Sequence, residues 1–396
     1  MKRRDFIRYS SLASGTLFVP SFLKAFDAVP NSVKGHKKLV IIQLSGGNDG
    51  LNTVVPYMND VYYKNRNTIA QQKQHLLKVT DELGFHESMS AFKSLYDSGY
   101  VSVMHSVGYP NPNRSHFRAT DIWHTASASD AYLQTGWVGR YLDKVSKNPI
   151  GGIEVDDTLS LLMKGQTING VATKNPKLFY KTTQDPYFTN VLQTAVDTHL
   201  SEHNLGYLYK TAIDAKSSAK HIFEKTKTYK TQMTYPKNGF GKQLSAISQF
   251  INSGLETEVY YASLGGFDTH AYQPNKQKRL LKVYSEGITA FVEDLKNTGA
   301  FKDTLILTFS EFGRRLKQNA ANGTDHGAAN VTFLMGENLK HPGMYNAPAN
   351  LLNLDANGDM KYEIDFRDIY ASLLKEWLDT EPSAILNGNF KTLGLV

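Results

Sequence analysis

Acidic, amide and imidazole side chains follow the apolar runs of this sequence, close to the points where those runs end. In chain order the groups are Asn48-Asp49 after Lys38–Leu44, His105 ending Tyr100–His105, Asp268 and His270 after Glu258–Leu264, Glu311 after Thr304–Phe309, and Asp325-His326 before Val331–Met335. Carboxylate oxygens combined with imidazole nitrogens are ligands that suit Zn²⁺, Mn²⁺ or Ca²⁺, according to their ratio. The sequence therefore predicts one bound divalent metal ion. The predicted ligands are Asp49, Asp268, His270, Glu311, His326 and Asp325, the last as a ligand or as the group that orients His326.

Each of these motifs alone also has a structural interpretation. The glycines around Asn48-Asp49 are typical of a tight turn with a capping side chain, and Asp268 and His270 can cap a backbone turn. Glu311 can form an ion pair with the arginines that follow it, and Asp325-His326 lies in a tripeptide common in surface loops. The joint pattern favours a site, because consecutive strand ends all carry possible ligands.

A second polar group surrounds Ser115, in the segment 110–118 (PNPNRSHFR). Ser115 is predicted to open a helix, where it acts either as the N-cap alone or also as a nucleophile. The helix N-terminus and Arg114 favour an ionised hydroxyl or a bound anion there. His116 or His105 can serve as general acid or base. The candidate catalytic residues are Ser115, His116 and Arg114, and the candidate substrate-binding residues are Asn48, Arg118, Arg314 and His105.

Apolar runs that alternate with helical spacing must position these groups. Continuous runs such as Lys38–Leu44 and Thr304–Phe309 are typical of strands buried on both faces. Helical periodicity covers 88–98, 277–299 and 365–378. The alternation predicts an α/β fold with a doubly wound, mostly parallel sheet between helices, whose functional residues gather at the carboxyl ends of the strands. Residues 185–250 are rich in Lys, Thr and Ser and are interpreted as a helical insertion.

The composition narrows the chemistry. The chain has 396 residues, 41% of them hydrophobic and 20% charged, which is typical of a globular protein. It has no cysteine, which excludes disulfides, thiolate metal sites and cysteine nucleophiles. The formal net charge is +7. Without residues 1–28 the chain has 39 basic and 35 acidic residues, so the charge alone does not predict a nucleic-acid partner.

The first 28 residues are interpreted as a twin-arginine signal peptide. Arg3-Arg4 is followed by Phe6-Ile7, then by a short apolar stretch and by small residues near position 28. The stretch is too short and too rich in Ser and Gly for a membrane span. The prediction is a single domain over 29–396, exported to the periplasm or secreted, without an integral membrane span after signal removal. An ordinary amphipathic N-terminus is the alternative.

Several familiar motifs are absent. The sequence has no G-x-S-x-G, Walker A, H-E-x-x-H or G-x-G-x-x-G motif. The segment Asp355–Asp359 resembles the start of a calcium loop, but Met360 and Phe366 occupy the positions that require Gly and Glu. An Asn-Gly hairpin turn is the better interpretation of this segment.

Seven segments together resemble the bacterial family called domain of unknown function 1501. They are Leu44–Tyr57, Asn113–His124, Thr135–Leu142, Gly265–His270, Ser310–Arg315, Gly323–Gly327 and Asp365–Leu378. This family is grouped with the alkaline phosphatase and sulfatase superfamily, so the resemblance implies an α/β sandwich with metal ligands at strand ends. It also implies that Ser115 stands in the nucleophile's place, and it supports the prediction that the residues named above are metal ligands.

The sequence departs from the superfamily pattern at two places, and these departures limit which of the superfamily's functional features can be expected here. Phe312 stands where a second metal ligand is normally found, which argues against a two-metal site. Ser115 is followed by His116-Phe117-Arg118 rather than by the x-Pro-x-Arg pattern of sulfatase maturation, which argues against a formylglycine sulfatase.

The leading hypothesis from the sequence is an exported, metal-dependent hydrolase of phosphate or related esters. Its partner is a small anionic ester or a glycan, and not nucleic acid. The alternative is a degenerate, non-catalytic member that binds carbohydrate or a protein partner in the cell envelope.

Overall fold

The computed structural model describes residues 36–188, 190 and 203–396. The predicted signal peptide and part of the predicted insertion lie outside these residues.

The described residues form one large sheet and two small ones. The strands are β1 Lys38–Ser45, β2 Val54–Pro56, β3 Leu77–Lys78, β4 Leu83–Phe85, β5 Val101–Gly108, β6 Gly152–Glu154, β7 Val171–Ala172, β8 Val259–Gly265, β9 Thr304–Phe309, β10 Arg314–Gln318, β11 Thr324–His326, β12 Asn330–Met335, β13 Gly343–Met344 and β14 Ile364–Asp365. The large sheet has the order β13-β5-β12-β9-β1-β8-β6-β7, and β14 also pairs with β5. The small sheets are β10-β11 and β2-β4-β3.

The large sheet is mostly parallel. Strand β1 pairs in parallel with β8 and β9, and β8 continues in parallel to β6 and β7. Strand β12 is antiparallel to both of its neighbours, β5 and β9. The predicted α/β class with a doubly wound, mostly parallel sheet is confirmed. The carboxyl ends of β1, β8 and β9 consequently lie side by side at one edge of the sheet.

Helices lie on both faces of the sheet. They are α1 Asp60–Asn65, α2 Ser90–Asp97, α3 His116–Thr125, α4 Trp137–Tyr141, α5 Pro176–Thr183, α6 His203–Thr226, α7 Gly239–Asn252, α8 Gln273–Thr298, α9 Phe366–Ser372 and α10 Ser383–Leu386. Helices α4 and α9 continue as wider turns over Leu142–Ser146 and Leu373–Trp377. The three helices predicted from periodicity are therefore present, with boundaries that differ by a few residues. No described helix is both long and apolar enough to cross a bilayer.

Strand β1 shows why the sheet is buried on both sides. Val40, Ile42 and Leu44 belong to one apolar cluster, while Leu39 and Ile41 belong to another. Because side chains alternate across a strand, each cluster fills one face of the sheet. Helices α7 and α8 complete the first cluster, and α3, α4 and α9 complete the second.

The loop at Asp355–Asp359 is a turn. The Asp355 side chain accepts hydrogen bonds from the backbone N–H groups of Asn357 and Asp359, both at 2.8 Å. Gly358 has φ +79°, and an isolated antiparallel bridge joins Leu354 to Met360. The hairpin interpretation of this segment agrees with this geometry.

Candidate metal centre

The loops after β1, β8 and β9 meet at the carboxyl edge of the sheet. Gly46 has φ +116°, and a Cβ atom on it would lie 2.3 Å from the backbone nitrogen of Asp268. Only glycine permits both this conformation and this approach. The contact brings the loop after β1 against the loop that carries Asp268 and His270.

Three histidine side chains converge on one carboxylate oxygen. The Nε2 atoms of His116, His270 and His326 lie 3.5, 3.0 and 3.2 Å from Oδ1 of Asp268. The Nε2 atoms of His270 and His326 are 2.9 Å apart. His116 is the first residue of α3 and His326 the last residue of β11, so these ligands come from three separate parts of the chain.

The opposite nitrogen of each ring is held by an acceptor. Nδ1 of His326 donates to the backbone oxygen of Arg114 at 2.7 Å, because a carbonyl can only accept. Nδ1 of His116 lies 2.9 Å from Oε1 of Glu311, and Nδ1 of His270 lies 3.2 Å from Oδ1 of Asp325. In the neutral rings these partners place the proton on Nδ1, which leaves the lone pairs of the three Nε2 atoms facing Asp268.

Lone pairs that point at one another repel, and a cation between them would remove this repulsion. The Nε2 atom of His116 is buried and has no hydrogen-bond partner. Bonds of about 2.0–2.1 Å in a tetrahedral zinc site place ligand atoms about 3.3 Å apart, which is close to the four separations measured here. Within the described part of the chain, the ligand atoms of His116, Asp268 and His326 all lie within 4.8 Å of one another. These residues therefore fit a single divalent ion.

Glu311 holds His116 rather than joining the cluster directly. Its carboxylate is 1% exposed and also accepts from the backbone N–H of Gly46 at 2.8 Å and from the side chain of Gln43 at 3.2 Å. Burial alone would raise the pKa of Glu311, but the hydrogen bonds from His116 and the backbone outweigh it and lower this pKa. The hydrogen bond to Glu311 raises the pKa of His116. Glu311 thus acts as the outer carboxylate of a carboxylate–histidine pair.

Arg314 fixes the loops behind Asp268. Its fully buried guanidinium donates to the backbone oxygens of Gly46, Gly47, Phe267 and Thr324 and to Oδ1 of Asp268 at 2.8 Å. Burial raises the pKa of Asp268, but the hydrogen bond and the charge of Arg314, together with the neighbouring histidines, prevail and lower it to about 2. Arg314, which the sequence suggested for substrate binding, here positions a ligand and has no face open to substrate.

Phe312 packs against two of the three histidines. Its ring centroid lies 4.9 Å from that of His116 and 4.5 Å from that of His326. The ring therefore restrains both imidazoles from one side. This agrees with the sequence argument for one metal position rather than two.

Asp49 lies apart from this group. It is 1% exposed, and Oδ2 accepts from Arg66 at 2.6 Å and from the amide of Gln273. Within the described residues it has no hydrogen bond or ion pair with any of the four converging side chains. The neighbouring Asn48 is equally buried, and its side chain exchanges hydrogen bonds with Thr53. The structure thus assigns both residues contacts that stabilise the turn after β1.

Ser115 and Arg114 come directly before His116 in the chain. Ser115 occupies the N-cap position of α3, yet its side chain makes no cap hydrogen bond and is exposed. Arg114 pairs with the buried Asp359, and its own side chain remains 30% exposed. The hydroxyl of Ser115 therefore has no hydrogen-bond partner among the described residues, and it belongs to the residue next to His116.

Two further predicted residues are placed elsewhere. Arg118 donates to the backbone oxygens of Ala128, Ser129 and Ala131 and stacks on Tyr132 at 3.9 Å, so it organises the loop after α3. His105 is 6% exposed, and burial lowers its pKa to about 4. His105 lines a small pocket with Ser106 and Asn330 and does not touch the cluster.

The sequence pattern missed the part that His116 plays here. Its position after Ser115 suggested a general acid or base. The spacing of residues cannot show which way the imidazole of the first residue of a helix points. The partner that orients it, Glu311, lies 195 residues further along the chain.

Sequence comparison places the chain in a family. The family model described as "Protein of unknown function (DUF1501)" matches residues 36–377. The chain belongs to the DUF1501 family. No curated protein matches it.

Solved structures similar to this DUF1501 chain share little sequence with it. The C-terminal periplasmic domain of EcEptC from Escherichia coli in complex with Zn is 11% identical over 78% of this chain and 75% of that one, with a TM-score of 0.40. The PsFucS1 sulfatase from Pseudoalteromonas sp. is 13% identical over 94% and 72%, with a TM-score of 0.39. An alkaline phosphatase superfamily protein from Vibrio parahaemolyticus is 9% identical over 76% and 60%, with a TM-score of 0.35. At these scores the likeness carries no argument about chemistry.

Proposed function

We propose that this chain is an exported, metal-dependent hydrolase of phosphate or related esters. The observation that carries the proposal is the convergence of three Nε2 lone pairs on Oδ1 of Asp268. His116, Asp268 and His326 would hold the ion, with His270 as the fourth and more exposed ligand. Three nitrogens and one oxygen favour zinc over calcium, which takes oxygen ligands.

A metal at this position would supply Lewis-acid polarisation of an ester oxygen. The chain's own groups would do the rest. Ser115 would present its free hydroxyl as nucleophile, or would orient a water, at the amino end of α3. Arg114 would stabilise the negative charge of the ester group beside it.

The exposure of the cluster is uneven, and this favours a catalytic site over a structural one. The side chains of Asp268 and His270 are 49% and 45% exposed, while that of His326 is 20% exposed. Structural zinc sites are closed, whereas catalytic sites keep a position open to substrate. The exposed side of this cluster would be that open position.

The first experiment measures metal content and hydrolysis on the same preparation. Purified protein should contain about one divalent ion per chain, and activated aryl phosphates, phosphodiesters and sulfates are then screened with Zn²⁺, Mn²⁺ or Ca²⁺ added back. His75, which is exposed and makes no contact with the cluster, provides the matched control as His75→Ala. Protein without stoichiometric metal, or His326→Ala retaining full metal, would refute the proposal.

A second candidate function is non-catalytic binding of a carbohydrate or a protein partner. It is favoured by Phe117 and Tyr272, which are 86% and 74% exposed and lie next to His116 and close to His270 in the chain. Exposed aromatic rings provide stacking surfaces for partners. Stoichiometric metal without hydrolysis of any ester in the screen would favour this candidate.

A further inference from the structure

The excess positive charge is concentrated in one stretch. Residues 174–242 carry eleven lysines and five acidic residues. Residues 29–173 and 243–396 together carry 28 basic and 30 acidic residues. The positive excess beyond residue 28 therefore falls in the stretch of sequence that includes α5, α6 and the start of α7.

This layer encloses a groove of about 530 Å³ between α5, the end of α6 and α7. Its lysines are Lys177, Lys227 and Lys230. Lys227 pairs with Glu224 at 2.9 Å, whereas Lys177 and Lys230 are exposed and have no ion-pair partner among the described residues. Two uncompensated ammonium groups thus border one concave surface.

Lys177 is placed where a cation is electrostatically unfavourable. It lies in the first turn of α5, which has no acidic residue in that turn. The amino end of a helix carries a partial positive charge, so a lysine there raises the local potential further. An anion bound in the groove would relieve this repulsion, together with that between Lys177 and the other two lysines.

The aromatic residues that line the groove indicate which kind of polyanion it suits. Tyr180 stacks on the Phe223 ring at 4.9 Å, and the Nζ atom of Lys227 lies over the same ring at 4.0 Å, so Phe223 offers nucleic-acid bases little free ring surface. Tyr229 also lines the groove, and its hydroxyl is held by a hydrogen bond to Asp294. A concave groove also fits a chain better than it fits the flat surface of a bilayer.

Neutral polar groups lie between the lysines. Asn175, Thr226, Ser245 and Gln249 line the same groove. Some of their atoms are used within the protein, since Asn175 Oδ1 caps α5 and the Thr226 hydroxyl and Gln249 amide donate to backbone oxygens. The Ser245 hydroxyl, the Asn175 amide N–H and the Gln249 amide oxygen make no hydrogen bond among the described residues. Such groups beside ammonium groups match a polymer that alternates anionic groups with hydroxyls. We infer that this groove binds a segment of an acidic polysaccharide, at a site separate from the metal cluster.

The test measures binding of the full chain to defined probes in a series of salt concentrations. The probes are polygalacturonate, heparin, neutral dextran, a single-stranded DNA 20-mer and vesicles of anionic phospholipid. We expect binding to at least one acidic polysaccharide and none to dextran. Binding should weaken with salt, as electrostatic association with a polyanion does.

The double variant Lys177→Gln/Lys230→Gln should weaken this binding on the order of tenfold, since two charge contacts are lost. The matched control is Lys302→Gln/Lys340→Gln, two exposed lysines without ion pairs near β9 and β12, in the half of the sheet opposite β7. The control should change affinity less than twofold. Both double variants should hydrolyse small aryl esters at the wild-type rate.

Three results would overturn the inference. They are no binding to either acidic polysaccharide, equal weakening in the two double variants, and tighter binding of DNA or vesicles that is lost with Lys177 and Lys230. Unchanged thermal unfolding of both variants would show that altered binding does not come from misfolding.

Discussion

The Nε2 atom of His326 lies 3.2 Å from Oδ1 of Asp268, and neither atom has a proton to give to the other. The proton of this imidazole is held on the other nitrogen by the backbone oxygen of Arg114. The pair is thus arranged as two ligands rather than as a hydrogen bond.

Replacing His326 should remove the metal. His326→Ala deletes one of the four proposed ligands, and we expect the affinity for Zn²⁺ to fall more than about a hundredfold, since even outer partners contribute 10–100-fold. Metal analysis after dialysis and a chelator titration measure this. His75→Ala should bind as the wild type does, and an equal loss in both variants would contradict the assignment.

The contribution of Glu311 and Asp325 to metal affinity should increase with the burial of each carboxylate. Glu311→Gln weakens the buried partner of His116, so metal affinity should fall about 10–100-fold. Asp325→Asn alters a partner of His270 that is 52% exposed, and its effect should be smaller. The two variants are compared by zinc titration, and the reverse order of effects would contradict the proposed roles.

Ser115→Ala separates catalysis from helix capping. Because the Ser115 side chain makes no cap hydrogen bond, its loss should lower the free energy of unfolding by less than about 0.5 kcal/mol, below the usual cost of about 1 kcal/mol for a lost cap. Hydrolysis should fall at least about a hundredfold with metal content unchanged. Ser90→Ala, an exposed serine at the start of α2, is the control. Equal rates in wild type and Ser115→Ala would leave Ser115 without a catalytic role.

Stability should depend on pH through Glu154. Burial raises the pKa of this carboxyl to about 7, so the folded state holds a proton that the unfolded state releases near pH 4.5. The contribution is fully present below the unfolded pKa and is lost as pH rises toward 7, up to about 3 kcal/mol. Urea unfolding at pH 5 and pH 8 measures it. Glu154→Gln should lose less stability over this interval than the wild type, and an identical loss would contradict the prediction.

Export should depend on the paired arginines at the N-terminus. Replacing Arg3 and Arg4 by lysine should leave precursor in the cytoplasm, because the twin-arginine route requires the pair. Cell fractionation with detection of the precursor checks this. Unchanged export would show that another route carries the protein.

The sequence was a good guide to the sheet and a poorer one to the chemistry of individual side chains. Strands such as Thr304–Phe309 are continuous apolar runs. Such a run predicts a strand that is buried on both faces of a parallel sheet. The sequence also predicted Asp268 and His270 at this edge, because they follow the parallel strand β8. His326 was predicted from the same pattern, but it ends β11 in the small antiparallel sheet.

Asp49 and Arg314 show what sequence spacing cannot resolve. Both are polar residues at strand ends. Asp49 nevertheless forms an ion pair with Arg66, and Arg314 donates hydrogen bonds to four backbone oxygens. Whether such a group binds a ligand or stabilises a loop depends on partners far away in the chain. His116 is the opposite case, because its orientation is set by Glu311 and by the ring of Phe312.

The buried guanidinium of Arg314 has a consequence for the order of events during folding. It joins the loops that follow β1 and β8 to Thr324, and the candidate ligands around Asp268 come from positions as far apart as 116 and 326. A chain that has not yet closed these long intervals has no assembled ligand set, because distant contacts form only after loop closure. Metal uptake would then report completed folding, and a chain truncated before residue 324 should remain free of the ion even though His116 and Asp268 are present.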